Sequence, residues 1–123
     1  MLPDKFSEHE ILYRAVLPES IFWKYDEKGN KRLSSAALRD QNGLSVDRGY
    51  YRLDNEVIND MQSRLDGEII SFTVKNCNEV NALVLYRPSS KNQYHSEVHG
   101  SGTQKIMTDS QRKRLAKLAK ILN

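Results

Sequence analysis

Short runs rich in β-branched and aromatic residues recur along this chain, each closed by turn-forming residues, and only two stretches carry helical period. That alternation restricts a chain of 123 residues to a mixed architecture with one core. Ile11 to Leu17 and Ile21 to Tyr25 read as strands separated by Pro18. Asp26 to Asn30 supplies turn chemistry, with Gly29 free to take positive φ, so Lys31 to Ser35 is expected to return as a hairpin partner. After the Asn42-Gly43 turn, Leu44 to Arg48 alternates with period two. This places Ser45 and Asp47 on one face and Leu44, Val46 and Arg48 on the other.

The helical stretches have clear limits. Asp54 is expected to cap a helix whose stripe is Val57, Ile58, Met61 and Leu65, closed by Gly67. Thr108 and Gln111 form a capping box for a second, with Leu115, Leu118, Ala119 and Leu122 on one side and Lys113, Lys117 and Lys120 opposite. Between them, Glu68 to Val74 and Ala82 to Tyr86 read as a hairpin around Lys75 to Glu79, the second strand being apolar enough for a sheet interior. Pro88 ends that strand. The expectation is one α+β domain over residues 1–123: a mainly antiparallel sheet, a central helix and a C-terminal amphipathic helix.

Charge and cysteine content narrow the setting. Lys105, Arg112, Lys113, Arg114, Lys117 and Lys120 face a single acid, Asp109, within residues 105–120, so the net charge of +3 belongs to that terminal segment. The single Cys77 has no disulfide or zinc partner and reads as a small buried hydrophobe in a reducing, cytoplasmic protein. Neither a signal-type start nor an apolar stretch of membrane-spanning length is present.

The best candidate for chemistry is Tyr94 to Gly100, which holds His95, Glu97 and His99. On a strand these three project from one face. His95 and His99 would then lie about 13 Å apart, too far to share one zinc ion, so a metal site is not expected. Acid–base chemistry at a histidine needs only a partner to orient its tautomer and a cation to stabilise negative charge. Glu97 is the expected orienting group and Arg14, inside the first strand, the expected cation. Ser34, Ser35, Asp47 and Arg48, together with His99, form a second polar set able to bind phosphate through hydroxyls and guanidinium. His9 lies in a polar Ser-Glu-His-Glu run and is expected to be exposed, and Trp23, Tyr25, Tyr50 and Tyr51 are expected to pack the sheet. No Gly-rich phosphate loop, Gly-x-Ser-x-Gly elbow or His-Glu-x-x-His motif occurs, so no cofactor is expected.

Arg32-x-Ser34-Ser35-x-Ala37-Leu38, Leu44-Ser45-Val46-Asp47-Arg48, Pro88 and His95-x-Glu97-Val98-x-Gly100 together resemble a group of short, uncharacterised bacterial open reading frames. The resemblance implies that the serines, Asp47-Arg48 and His95 are motif positions, which could meet in one site. It further implies a bacterial or phage origin, with toxin or defence character. The order Arg14, Ser34-Ser35, Glu97 is also similar to the Arg, Ser-x-Ser and Glu elements of ADP-ribosyltransferases, without that family's serine triplet or paired acid. Three readings follow: an enzyme acting on nucleic acid or a nucleotide, in which His95, Glu97 and Arg14 act; a binding module whose Lys113, Lys117 and Lys120 contact nucleic acid or an acidic protein partner; and an ADP-ribosyltransferase-like domain. Unprotected sheet edges would also permit self-association.

Overall fold

The computed structural model describes residues 1–122. It has the α+β architecture expected from the sequence, a six-stranded antiparallel sheet with helices on both faces. The strands are β1 (Ile11–Val16), β2 (Trp23–Tyr25), β3 (Lys31–Leu33), β4 (Leu44–Arg48), β5 (Glu68–Thr73), β6 (Leu83–Tyr86), β7 (His95–His99) and β8 (Lys120–Ile121). The helices are α1 (Asp54–Gln62), α2 (Val74–Glu79) and α3 (Asp109–Leu118), with a 3-10 turn at Ser35–Leu38. The large sheet runs β6-β7-β4-β1-β5-β8, while β2 and β3 form a separate hairpin whose turn holds Gly29 at positive φ.

Alternation along the strands divides the core in two. Leu12, Val16, Leu44, Val46, Ile70, Phe72 and Val98 point to one face, where they pack with Trp23, Leu38, Cys77 and Leu115. Tyr13 and Ile69 point to the other, beneath Val57 and Met61 of α1. Burial pushes the Cys77 thiol up to about 12, which keeps it protonated and inert.

Several expectations need correction. Lys75 to Glu79 is not a hairpin turn but part of α2. Thr73 Oγ1 accepts from Asn76 N–H at 3.0 Å and Asn76 Oδ1 accepts from Thr73 N–H at 2.9 Å, a reciprocal cap that starts a helix as β5 ends. The strand that follows crosses to the far edge, so β6 pairs only with β7 and is not interior. Leu53, not Asp54, precedes the first turn of α1. The Asp54 carboxylate instead accepts from the Tyr13 hydroxyl, and Glu56 takes the Leu53 N–H at 2.9 Å. α1 stops at Gln62, leaving Leu65 beyond it.

At the C-terminus the capping box forms as expected: Gln111 N–H donates to Thr108 Oγ1 at 3.1 Å and Thr108 N–H to Gln111 Oε1 at 2.8 Å. The helix nevertheless ends at Leu118, because Ala119 turns extended and Lys120–Ile121 pairs with the open edge of β5. Leu115 and Ala116 are its buried residues, whereas Leu118 is exposed.

Candidate functional site

β1 and β4 pair in register only at Leu12–Arg48 and Tyr13–Asp47, and diverge beyond that point. Arg14 sits where they part. Its Nε donates to the Ala37 carbonyl at 3.1 Å and its Nη1 to the Ser45 carbonyl at 2.9 Å, tying the 3-10 turn to β4. An open groove of about 550 Å³ lies alongside, and its walls include Arg14, Ser45, Asp47, Arg64, Asn92 and His95.

His95 is opposite Asp47 in the β4–β7 ladder, and Ser45 is opposite Glu97. The His95 ring leans diagonally across the ladder. Its Nδ1 is 2.8 Å from the Arg87 carbonyl and its Nε2 is 3.3 Å from Ser45 Oγ. A carbonyl can only accept, so Nδ1 carries the proton and the Nε2 lone pair faces the serine hydroxyl. The backbone thus fixes the tautomer, a role expected of Glu97. The Glu97 carboxylate instead accepts from His99 Nε2 at 2.9 Å, an ion pair when His99 is protonated. With side chains at i and i+2 equally spaced along a strand, Glu97 had two histidines within reach, and the buried His99 holds it. His99 packs under Gly43, whose φ is +92° and where a Cβ would fall 2.5 Å from His99 Nε2.

Asp47, 4 % exposed, accepts from Arg64 Nη2 at 2.8 Å and Asn92 Nδ2 at 2.9 Å, joining the segment after α1 to the loop before β7. Arg64 also bonds Asp60, so two carboxylates neutralise its charge. Partial burial pushes the Asp60 carboxyl upward, but the bonds and charges of Arg64 and Arg52 outweigh it and hold the group below its ordinary value. Arg14 has no such ion pair. Burial pushes its guanidinium downward, Asp40 opposes that shift through its charge, and the two bonds to carbonyls leave three of its N–H groups without a protein acceptor among the described residues.

Of the residues singled out in the sequence, Arg14, Asp47 and His95 meet in the groove, and Glu97 and His99 form a neighbouring pair on β7. The others lie elsewhere. Ser34 caps the 3-10 turn, its Oγ accepting from Ala36 N–H at 3.3 Å. Ser35, Lys113, Lys117 and Lys120 border a separate groove. Arg48 is 1 % exposed and committed: it bonds both Glu10 oxygens at 2.7 and 2.8 Å and the Pro3 and Lys5 carbonyls at 2.6 and 3.1 Å. Its guanidinium is therefore withdrawn from any ligand. His9 is exposed, and Trp23 is buried, donating to the Leu17 carbonyl at 3.0 Å. Tyr25 and Tyr51 are exposed rather than packed into the sheet.

Several polar groove residues, Asp66 among them, were not singled out. Ser45 was legible only as the face-mate of Asp47, while Arg64 and Asn92 reach the groove through bends that no local pattern announces. Among the described residues no three His, Cys, Asp or Glu groups cluster as a metal would require, and no helix is long and apolar enough to cross a membrane. No protein-family model, curated protein or solved structure matches the chain.

Proposed function

We propose that the protein is a small enzyme acting on a nucleotide or nucleic acid, with His95 as a metal-independent general base. The observation that carries this reading is the fixed His95 tautomer, with Nε2 presented to the Ser45 hydroxyl at 3.3 Å. A substrate hydroxyl or water seated against Nε2 in place of Ser45 Oγ would give its proton to Nε2 as its oxygen bonds to phosphorus, while the bond from phosphorus to the leaving oxygen breaks and that oxygen departs with the electron pair, to be protonated by the imidazolium or by water. Arg14, with free N–H groups and no carboxylate bonded to it, is the cation for the negative charge that develops. Asp47 acts as a positioning residue, holding Arg64 and Asn92 at the groove wall. Toxin or defence character in a bacterial cytoplasm is part of this reading and rests on the sequence resemblance.

One observation favours the ADP-ribosyltransferase-like reading, in which the substrate is a nicotinamide dinucleotide: Arg14 contacts the Ser34–Ala37 segment directly through the Ala37 carbonyl. Glu97, the third element of that reading, belongs to the His99 pair. The test is turnover of a panel of nucleoside mono-, di- and triphosphates, a nicotinamide dinucleotide and single-stranded RNA, measured in the presence of a chelator. Turnover is expected to fall at least about a hundredfold in His95→Ala, the size of a lost general base. Turnover that persists in His95→Ala, or no turnover of any member by the wild-type protein, would overturn the assignment.

A further inference from the structure

The β2–β3 hairpin and the α3–β8 segment are far apart in sequence, yet they wall one groove of about 940 Å³. Its cations are Lys24, Lys31, Arg32, Lys113, Lys117 and Lys120, and its lining contains no acid. Lys31 is paired with Glu68, Arg32 with Asp26 and Lys113 with Asp109. Lys24, Lys117 and Lys120 have no carboxylate partner among the described residues, so the groove holds three uncompensated charges. Its floor is apolar, including Leu33, Ala116 and Ile121.

We infer that this groove binds the phosphate backbone of single-stranded nucleic acid, independently of His95. Like charges brought together on one concave wall repel one another, and an anionic polymer relieves that repulsion while releasing its own counterions. The volume lies at the top of the range for a small ligand, which suits a run of nucleotides better than a lone phosphate. Five of the six cations are lysines. Lysine acts as a point charge and suits repeated, undirected phosphate contacts, whereas planar recognition of carboxylates favours arginine forks. The apolar floor accepts sugar and base surface, giving affinity without sequence preference.

The test measures fluorescence anisotropy of a labelled oligouridylate against the full-length protein over a range of salt. Wild-type binding should weaken steeply with salt. Lys24→Glu combined with Lys117→Glu and Lys120→Glu should weaken it at least about tenfold and flatten the log–log salt slope by about 2, three phosphate contacts at roughly 0.7 each. These three side chains are exposed, and an unchanged circular dichroism melt establishes that the variant folds. His95→Ala should bind as wild type does, which separates this groove from the proposed catalytic one. Absence of binding at low salt, unchanged binding by the triple variant, or displacement of the RNA by polyglutamate at equal charge concentration would overturn the inference, the last pointing to an acidic protein partner.

Discussion

Arg48 and Arg14 stand on adjacent central strands and have opposite surroundings. Arg48 is enclosed: Glu10 neutralises it, two carbonyls of the N-terminal segment cap it, and the rings of Phe6, Tyr86 and Tyr50 lie 4.1, 4.8 and 5.1 Å from its Cζ. Arg14 bonds two neutral carbonyls beside an open groove and keeps its charge uncompensated by any bonded acid. An arginine inside a strand is thus not in itself a sign of function. What distinguishes the two is whether the protein supplies the counterion, and where it does not, the ligand can.

The largest effect should come from breaking the enclosed side. Arg48→Met leaves the Glu10 carboxylate, whose side chain is 9 % exposed, without its cation and should cost about 3–5 kcal/mol in denaturant unfolding, with much of the loss recovered when Glu10→Gln is added. Arg14→Met strands only two carbonyls and should cost about 1–2 kcal/mol, and under the proposed function it should also abolish nucleotide turnover. If the two substitutions destabilise equally, the contrast between a structural and an available arginine fails.

An effect below that of Arg48→Met is expected at Gly43, which borders the Glu97–His99 pair rather than either arginine. Gly43→Ala meets both a positive φ and the His99 ring, and should lower stability by about 1–3 kcal/mol. Chemical shifts of the His99 ring should move while those of His95 stay, since His95 is anchored separately to Arg87 and Ser45. A shift of both would make the two histidines one unit.

The smallest effect concerns acid. Asp60 has its folded pKa held below the ordinary carboxylate value, so its contribution is complete above about pH 3.9 and is lost as pH falls through the lower folded value. Asp60→Asn should therefore lower stability modestly at neutral pH, by about 1 kcal/mol or less for a partly exposed ion-paired carboxylate, and by progressively less below about pH 4, which flattens the acid limb of the stability profile. An unchanged acid limb would show that the groove side draws no stability from this carboxylate.

Local signals carried the fold far. The Gly29 turn, the alternation of Leu44 to Arg48, the apolar stripe from Val57 to Met61 and the Thr108–Gln111 box all rest on contacts within a few residues, and all appear where expected. Errors arose where a nearby choice was settled at a distance. Thr73 and Asn76 could form a turn or a cap, and burial of Val74 and Cys77 favoured the cap. Lys120 left its helix because β5 had an edge to pair. The candidate site was half legible for the same reason. His95, Asp47 and Arg14 could be named as polar groups on strands, but the contact between Ser45 and His95 spans 50 residues and depends on register across β4 and β7.

The strand order also has a meaning in time. β1 lies inside the sheet, yet its partner β4 begins at Leu44 and β5 begins at Glu68, 52 residues after β1 ends at Val16. At about 5–20 residues per second on the ribosome, β1 waits roughly 3–10 s for that second neighbour to be synthesised. Until β4 is made, β1 with its Leu12 and Val16 has no strand to pair beside, and until β5 follows it keeps one open edge, so a pause in translation between Arg48 and Glu68 would prolong the stage at which that edge is unpaired.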